Sequence, residues 1–192
     1  HVVIPTEAQT LDVGERILAP GFFDLHIHGA AGHLASEGPE AVLEIARYLV
    51  STGTTGWLPT VGNMSGVLGV IEARQRQKEG ARIAGIHMEG PYLAPKQLPH
   101  DEPAEPPVPT VKEFHSFLEA ARGHLSIMGV APELENSHQV IGAMRRAGVV
   151  PAVAHSKADY DTFMRAVAAG ISHTTHAFNV MTGMHHRRPG IV

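Results

Sequence analysis

Two histidines one residue apart follow an aspartate and precede a glycine in Asp24-Leu25-His26-Ile27-His28-Gly29. Alternate residues of a strand share a face, so Asp24, His26 and His28 are expected to point one way and Phe23, Leu25 and Ile27 the other. The histidines then stand about 7 Å apart, at roughly 3.3 Å per residue. Two imidazoles can lean from that spacing onto one ion about 2.0 to 2.1 Å from each nitrogen. The pair alone fits either an ordinary strand end or half of a metal site. Three further segments end in a side chain able to bind a metal: "GIHMEGPY" places Glu89 before Gly90 and Pro91, "VAHSKADY" holds His155, and "SHTTHAFN" holds His176. The chain has 14 histidines and no cysteine, so any metal must be bound through nitrogen and oxygen. Such an ion supports hydrolysis, because it polarises a carbonyl and lowers the pKa of a coordinated water toward ~7.

Donors this far apart in the chain meet only if the fold carries them to one end of a sheet. Short apolar runs at 21–28, 54–60, 82–88, 125–131, 149–155 and 172–177 alternate with amphipathic stretches at 40–51, 65–79, 111–122, 134–147 and 159–169. Gly53, Gly80, Gly123, Gly148 and Gly170 follow these stretches, as expected just past helix ends. Strand and helix in alternation predict a parallel sheet with helices outside it. Closed into a (β/α) barrel, parallel strands bring their carboxyl ends to one mouth, where such enzymes place their chemistry. His28, Glu89, His155 and His176 all fall at predicted strand ends.

Other polar residues are expected to play lesser parts. His87 shares the face of Glu89 one layer deeper and is assigned a supporting or core role, and Asp24 is expected to orient a ligand or support its strand. His173, an odd number of residues from His176, should look toward the helices. His33, His115, His124 and His138 fall in loops or helical patterns and should be solvated. Glu133 could reach the mouth or favour the start of the next helix through its charge. His185, His186, Arg187 and Arg188 form a loop able to bind an anion. The proline-crowded segment 94–110 excludes regular helix or central strand and reads as an exposed connection or as a flap over the mouth.

Composition limits the partners. Of 192 residues 43% are hydrophobic and 18% charged, with a net charge of -4, which fits one soluble globular domain and argues against nucleic acid or an anionic membrane surface. No apolar run approaches the ~20 residues of a membrane helix, and the amino-terminal residues lack a secretory pattern. A cytoplasmic location is the expectation. The chain begins at His1 and stops at Val192 in an apolar segment, and it is expected to be part of a longer protein.

The ordered motifs "APGFFDLHIHG", "GTTGWLPT", "GIHMEGPYLAPK", "APE", "AHSKADYD", "THAFNVM" and "HHRRPGIV" resemble the N-acetylglucosamine-6-phosphate deacetylases of the amidohydrolase superfamily. The resemblance implies an α/β fold, a (β/α)8 TIM barrel of the metal-dependent hydrolase type. Residues 19–192 would supply about its first six β/α units, and residues 1–18 a stub of a small β-sandwich. It implies a divalent metal, one or two ions with zinc or iron preferred. Glu89, His155 and His176 would hold one, and His26 and His28 a second that Glu89 bridges. Asn179 and the backbone of Val180 would bind the sugar phosphate, and Arg187 would contact phosphate across a homodimer interface. His100 would contact substrate, although "PKQLPH" lacks the glycine of the family's usual "KxGAH". Ala154 stands where glycine usually precedes the histidine, and Arg188 where glutamate is common. The proton-shuttling aspartate of the family would lie beyond Val192, so no catalytic acid or base is assigned in this chain. The implied reaction is hydrolysis of N-acetylglucosamine 6-phosphate to glucosamine 6-phosphate and acetate. The alternatives are an inactive fragment or metal- or sugar-phosphate-binding module, and the same chemistry on N-acetylgalactosamine 6-phosphate or another amide.

Overall fold

A computed structural model describes residues 5–95 and 105–192. In chain order it contains β1 (Phe22–Ile27), β2 (Gly29–Ala30), β3 (His33–Leu34), α1 (Pro39–Val50), β4 (Thr54–Val61), α2 (Met64–Arg76), β5 (Arg82–Ile83), β6 (Ile86–Met88), α3 (Val111–Ala120), β7 (Leu125–Val130), α4 (Ser137–Arg146), β8 (Val150–Val153), α5 (Tyr160–Ala169) and β9 (His173–Thr174). β2 and β3 form a small antiparallel hairpin, while the main sheet is parallel, in the order β1-β4-β6-β7-β8-β9 with β5 also on β4. β1 and β9 are opposite ends of this order, yet the rings of His26 and His176 lie 5.6 Å apart. The sheet is therefore curled, and the architecture is a partial TIM barrel.

The helices form where their sequences provide starts and an apolar stripe. Asn63, Thr110 and Asp159 accept from the backbone N–H three residues on and cap α2, α3 and α5, and Pro39 opens α1. α1 buries Val42, Ile45, Ala46 and Leu49, the spacing of one helical face. The main core lies between helices and sheet and includes Trp57, Ile83, Met88, Phe114, Met128 and Ile141. On the other face of the strands, Leu58, Ile127 and Ala152 form a small second cluster. The five glycines expected after helices all take positive φ.

Two elements begin or break where side-chain periodicity is silent. The predicted third strand divides into β5 and β6. At Gly85, between them, a Cβ would lie 2.1 Å from Ser126 Oγ. α4 starts at Ser137, later than its apolar pattern, because Asn136 adopts a left-handed conformation (φ 61°). Residues 5–18 form no helix or strand and are almost entirely exposed. Residues 105–110 of the proline-rich segment are irregular, as expected.

Gly90 turns the chain out of the sheet directly after Glu89, with φ 118°, a conformation open to glycine but not to residues carrying a Cβ. Gly90→Ala should destabilise the protein by about 1 to 3 kcal/mol, read as a lower urea midpoint at unchanged slope; an unchanged midpoint would contradict the assigned backbone.

Candidate metal centre

Glu89 stands one residue past β6, its backbone N–H continuing the ladder onto the Val61 carbonyl at 2.9 Å. Its side chain is 6% exposed and surrounded by four imidazoles. Oε2 lies 2.7 Å from His28 Nε2 and 4.0 Å from His26 Nε2. Oε1 lies 2.6 Å from His176 Nε2 and 3.2 Å from His155 Nε2. The carboxylate thus presents one oxygen to each of two histidine pairs. The rings of His26 and His28 are 5.0 Å apart, and those of His155 and His176 4.9 Å.

Local backbone aims each donor. His28 follows β1 and leads into the β2–β3 hairpin, where a Cβ on Gly29 would lie 2.2 Å from the His33 carbonyl oxygen. Glycine is needed there for close approach. His155 and His176 each lie two residues past their strands and take left-handed conformations, φ 39° and 35°. Non-glycine residues in that region carry strain and concentrate at functional sites. The turn after His176 returns to it through Asn179 N–H, which donates to the His176 carbonyl at 2.8 Å. The Val180 carbonyl accepts from Ser156 N–H at 3.0 Å, and the His155 carbonyl accepts from Ala94 N–H at 3.0 Å.

Among the described residues, His26, His28 and Glu89 form one group, and Glu89, His155 and His176 another, each with donor atoms within 4.8 Å of one another. Ligands about 2.0 to 2.2 Å from one ion stand roughly 3 to 4 Å apart, so both groups could hold a divalent cation with small side-chain shifts. The donor chemistry fits: imidazoles bind a metal in their neutral form, and four of them around one largely buried carboxylate would then leave a negative charge that a cation offsets. Burial by itself would raise the Glu89 pKa, but the hydrogen bond from His28 and the charges of His26, His155 and His28 bring it from 4.5 down to about 2. Burial lowers the His26 pKa despite the attraction of Glu89.

The remaining expectations divide. His87 is fully buried beneath the donors, and burial lowers its pKa to about 4, leaving it neutral at pH 7. His173 does not face the helices: its register partner is Ala152 of the inner cluster, and its ring is 6.4 Å from that of His87. The left-handed turn at His176 breaks the alternation on which that expectation rested. β1 also departs from strict alternation, because Asp24 pairs with Trp57 and Ile27 with Pro59, three steps against two. Asp24 meets neither imidazole in a hydrogen bond; its carboxylate accepts from the His26 backbone N–H at 2.9 Å.

Glu133 neither joins the donors nor lies in the first turn of α4. It accepts from Ser156 Oγ at 2.7 Å and from the Lys157 backbone N–H at 2.5 Å, clasping the chain just after His155. Side-chain spacing gave no signal for this clasp or for Ser156. Asn179, Val180, His185, His186, Arg187 and Arg188 are exposed in the loop after β9 and lie outside the donor groups. His33, His115 and His138 are exposed and His124 is half-buried. Pro106, Pro107, Glu133 and Lys157 line a common cleft, so the described end of the proline-rich segment adjoins the clasp. His100 lies outside the described residues.

The depressed pKa of Glu89 has a definite sign. A carboxyl at about 2 when folded, against 4.5 ordinarily, contributes stability that is present above the ordinary value and is lost as pH falls through about 2. With chelator present, the stability of the parent protein should fall more steeply with acid than that of Glu89→Gln in this window, followed by far-ultraviolet circular dichroism. Parallel curves would contradict the shift.

No family model matches the chain. The N-acetylglucosamine-6-phosphate deacetylase of Mus musculus is 37% identical over 193 residues, covering 94% of this chain and 47% of that protein. The N-acetylgalactosamine-6-phosphate deacetylase of Escherichia coli O157:H7 is 30% identical over 201 residues, covering 100% of this chain and 53% of that protein. The crystal structure of N-acetylglucosamine-6-phosphate deacetylase from Pasteurella multocida superposes with a TM-score of 0.81 at 27% identity, covering 98% of this chain and 51% of that chain. The chain spans about half the length of the curated relatives it matches. Over nearly all of its own length, it is thus similar in sequence and fold to one part of the amino-sugar-phosphate deacetylases.

Proposed function

We propose that this chain forms the metal-binding part of a hydrolase that removes the N-acetyl group of N-acetylglucosamine 6-phosphate, releasing glucosamine 6-phosphate and acetate. The observation that carries the reading is Glu89, whose two oxygens face two separate histidine pairs. Glu89, His155 and His176 would hold one divalent ion, zinc or iron, and His26 and His28 a second with Glu89 between them. A divalent ion there would polarise the acetamide carbonyl and acidify water. The chain's own residues would do the rest: imidazoles and carboxylate fix the ion, while the turn carrying Asn179 and the Val180 backbone holds the sugar phosphate beside His176. Arg187, exposed on the loop after β9, would reach the phosphate of a neighbouring subunit in a homodimer. His100 keeps its assignment as a substrate contact. Residues 1–18 would belong to a small β-sandwich and 19–192 to the barrel.

A second reading keeps the site and changes the sugar. The Escherichia coli relative is named for N-acetylgalactosamine 6-phosphate, and the same donors would serve that epimer. A cytoplasmic location is part of the proposal; no helix among the described residues is long and apolar enough to cross a membrane.

Acetate release from both N-acetylated sugar phosphates, with and without chelator, should identify the preferred epimer and fall at least tenfold on chelation; full activity in chelator would overturn the metal reading. Elemental analysis should find that Glu89→Gln loses more metal than His173→Ala, and equal loss would contradict the ligand assignment.

A further inference from the structure

The irregularity in β1 leaves backbone groups that side chains take up. Ile27 N–H donates to Thr60 Oγ1 at 3.0 Å, His26 N–H donates to Asp24 Oδ1 at 2.9 Å, and the Leu25 carbonyl lies 2.8 Å from His87 Nδ1. A carbonyl only accepts, so a proton sits on His87 Nδ1. Nε2 faces Thr175 Oγ1 at 3.5 Å. Thr175 is itself buried, is held by its N–H to the Val153 carbonyl at 2.9 Å, and immediately precedes His176.

One buried imidazole thus reaches the residue before His26 with one nitrogen and the residue before His176 with the other. It also sits two residues before Glu89, with its ring 4.8 Å from that of His26. The strand carrying the bridging carboxylate is therefore joined, one layer below the donors, to both edges of the curled sheet. An apolar side chain could fill the same layer, but it could neither donate to the Leu25 carbonyl nor hydrogen-bond Thr175.

We propose that His87 is a positioning residue that sets the separation between the His26–His28 edge and the His176 edge, so that both face the Glu89 carboxylate. This rests on the reading of the cluster as a metal centre. Loss of groups that orient metal ligands typically weakens metal binding 10- to 100-fold.

The test is Co2+ alone, titrated into the intact metal-free protein, with affinity and visible absorption recorded and folding checked by circular dichroism. His87→Leu should weaken at least one bound ion by about 10- to 100-fold and alter the cobalt spectrum. His87→Asn keeps an N–H toward the Leu25 carbonyl and should recover most of the affinity, while His173→Ala should bind as the parent does. If His87→Leu fails to fold, His87→Asn and His87→Gln decide. The Asn variant, with its donor placed like Nδ1, should bind more tightly, and equal affinities would overturn the proposal. Parent-like affinity and spectrum in a folded His87→Leu would overturn it alone. A parent protein that takes up no ion would overturn the metal reading, and the proposal with it.

Discussion

A nearly buried carboxylate ringed by imidazoles is the constraint around which the rest of this structure is arranged. The Glu89 side chain is 6% exposed, and an ionised group removed from water at that depth must be compensated by partners. No single strand supplies them. His26 comes from β1 and His28 from just past it, His155 from beyond β8 and His176 from beyond β9, while Glu89 follows β6. A flat sheet would leave β1 and β9 at opposite margins. The curl that brings their ends together lets four imidazoles meet one side chain, and the helices packed on the outer face support that curl.

Below the donors, the interior is polar where barrel interiors are usually filled by branched apolar residues. Leu58, Ile127 and Ala152 provide the apolar part, while Thr60, His87 and Thr175 occupy neighbouring positions as buried polar groups. Thr60 and His87 engage the backbone of β1, and Thr175 faces His87. Buried polar groups that are satisfied in this way fix a single arrangement more sharply than packing alone.

Much of this was legible in the sequence because two periods carry it. Apolar alternation and helical stripes located every main strand and helix to within a few residues, and the glycines fell within three residues of the helix ends except Gly80, four residues past Arg76. Glu89, His155 and His176 could be grouped because strand ends converge in a parallel barrel. What escaped depended on backbone irregularity, which side-chain pattern does not encode. The extra residue in β1 and the left-handed turn at His176 each interrupted an alternation, and the second misdirected His173. Glu133 was ambiguous because its partners, Ser156 and the Lys157 N–H, lie across a loop and leave no periodic trace. The resemblance to known deacetylases supplied the roles proposed for Asn179 and Arg187, which spacing could not, since exposed loop residues have no facing rule.

The meeting of the two sheet margins at His26 and His176 bears on how the molecule acquires its shape. Contacts between residues so distant along the chain form slowly, because loop-closure entropy must be overcome before they repay it. The cluster therefore cannot exist in a chain whose strands have only partly paired, and an ion that recognises the whole cluster has almost nothing to hold before then. A cation bound by the whole cluster would draw the population toward the finished arrangement by mass action, so cation supply would contribute to the yield of folded protein.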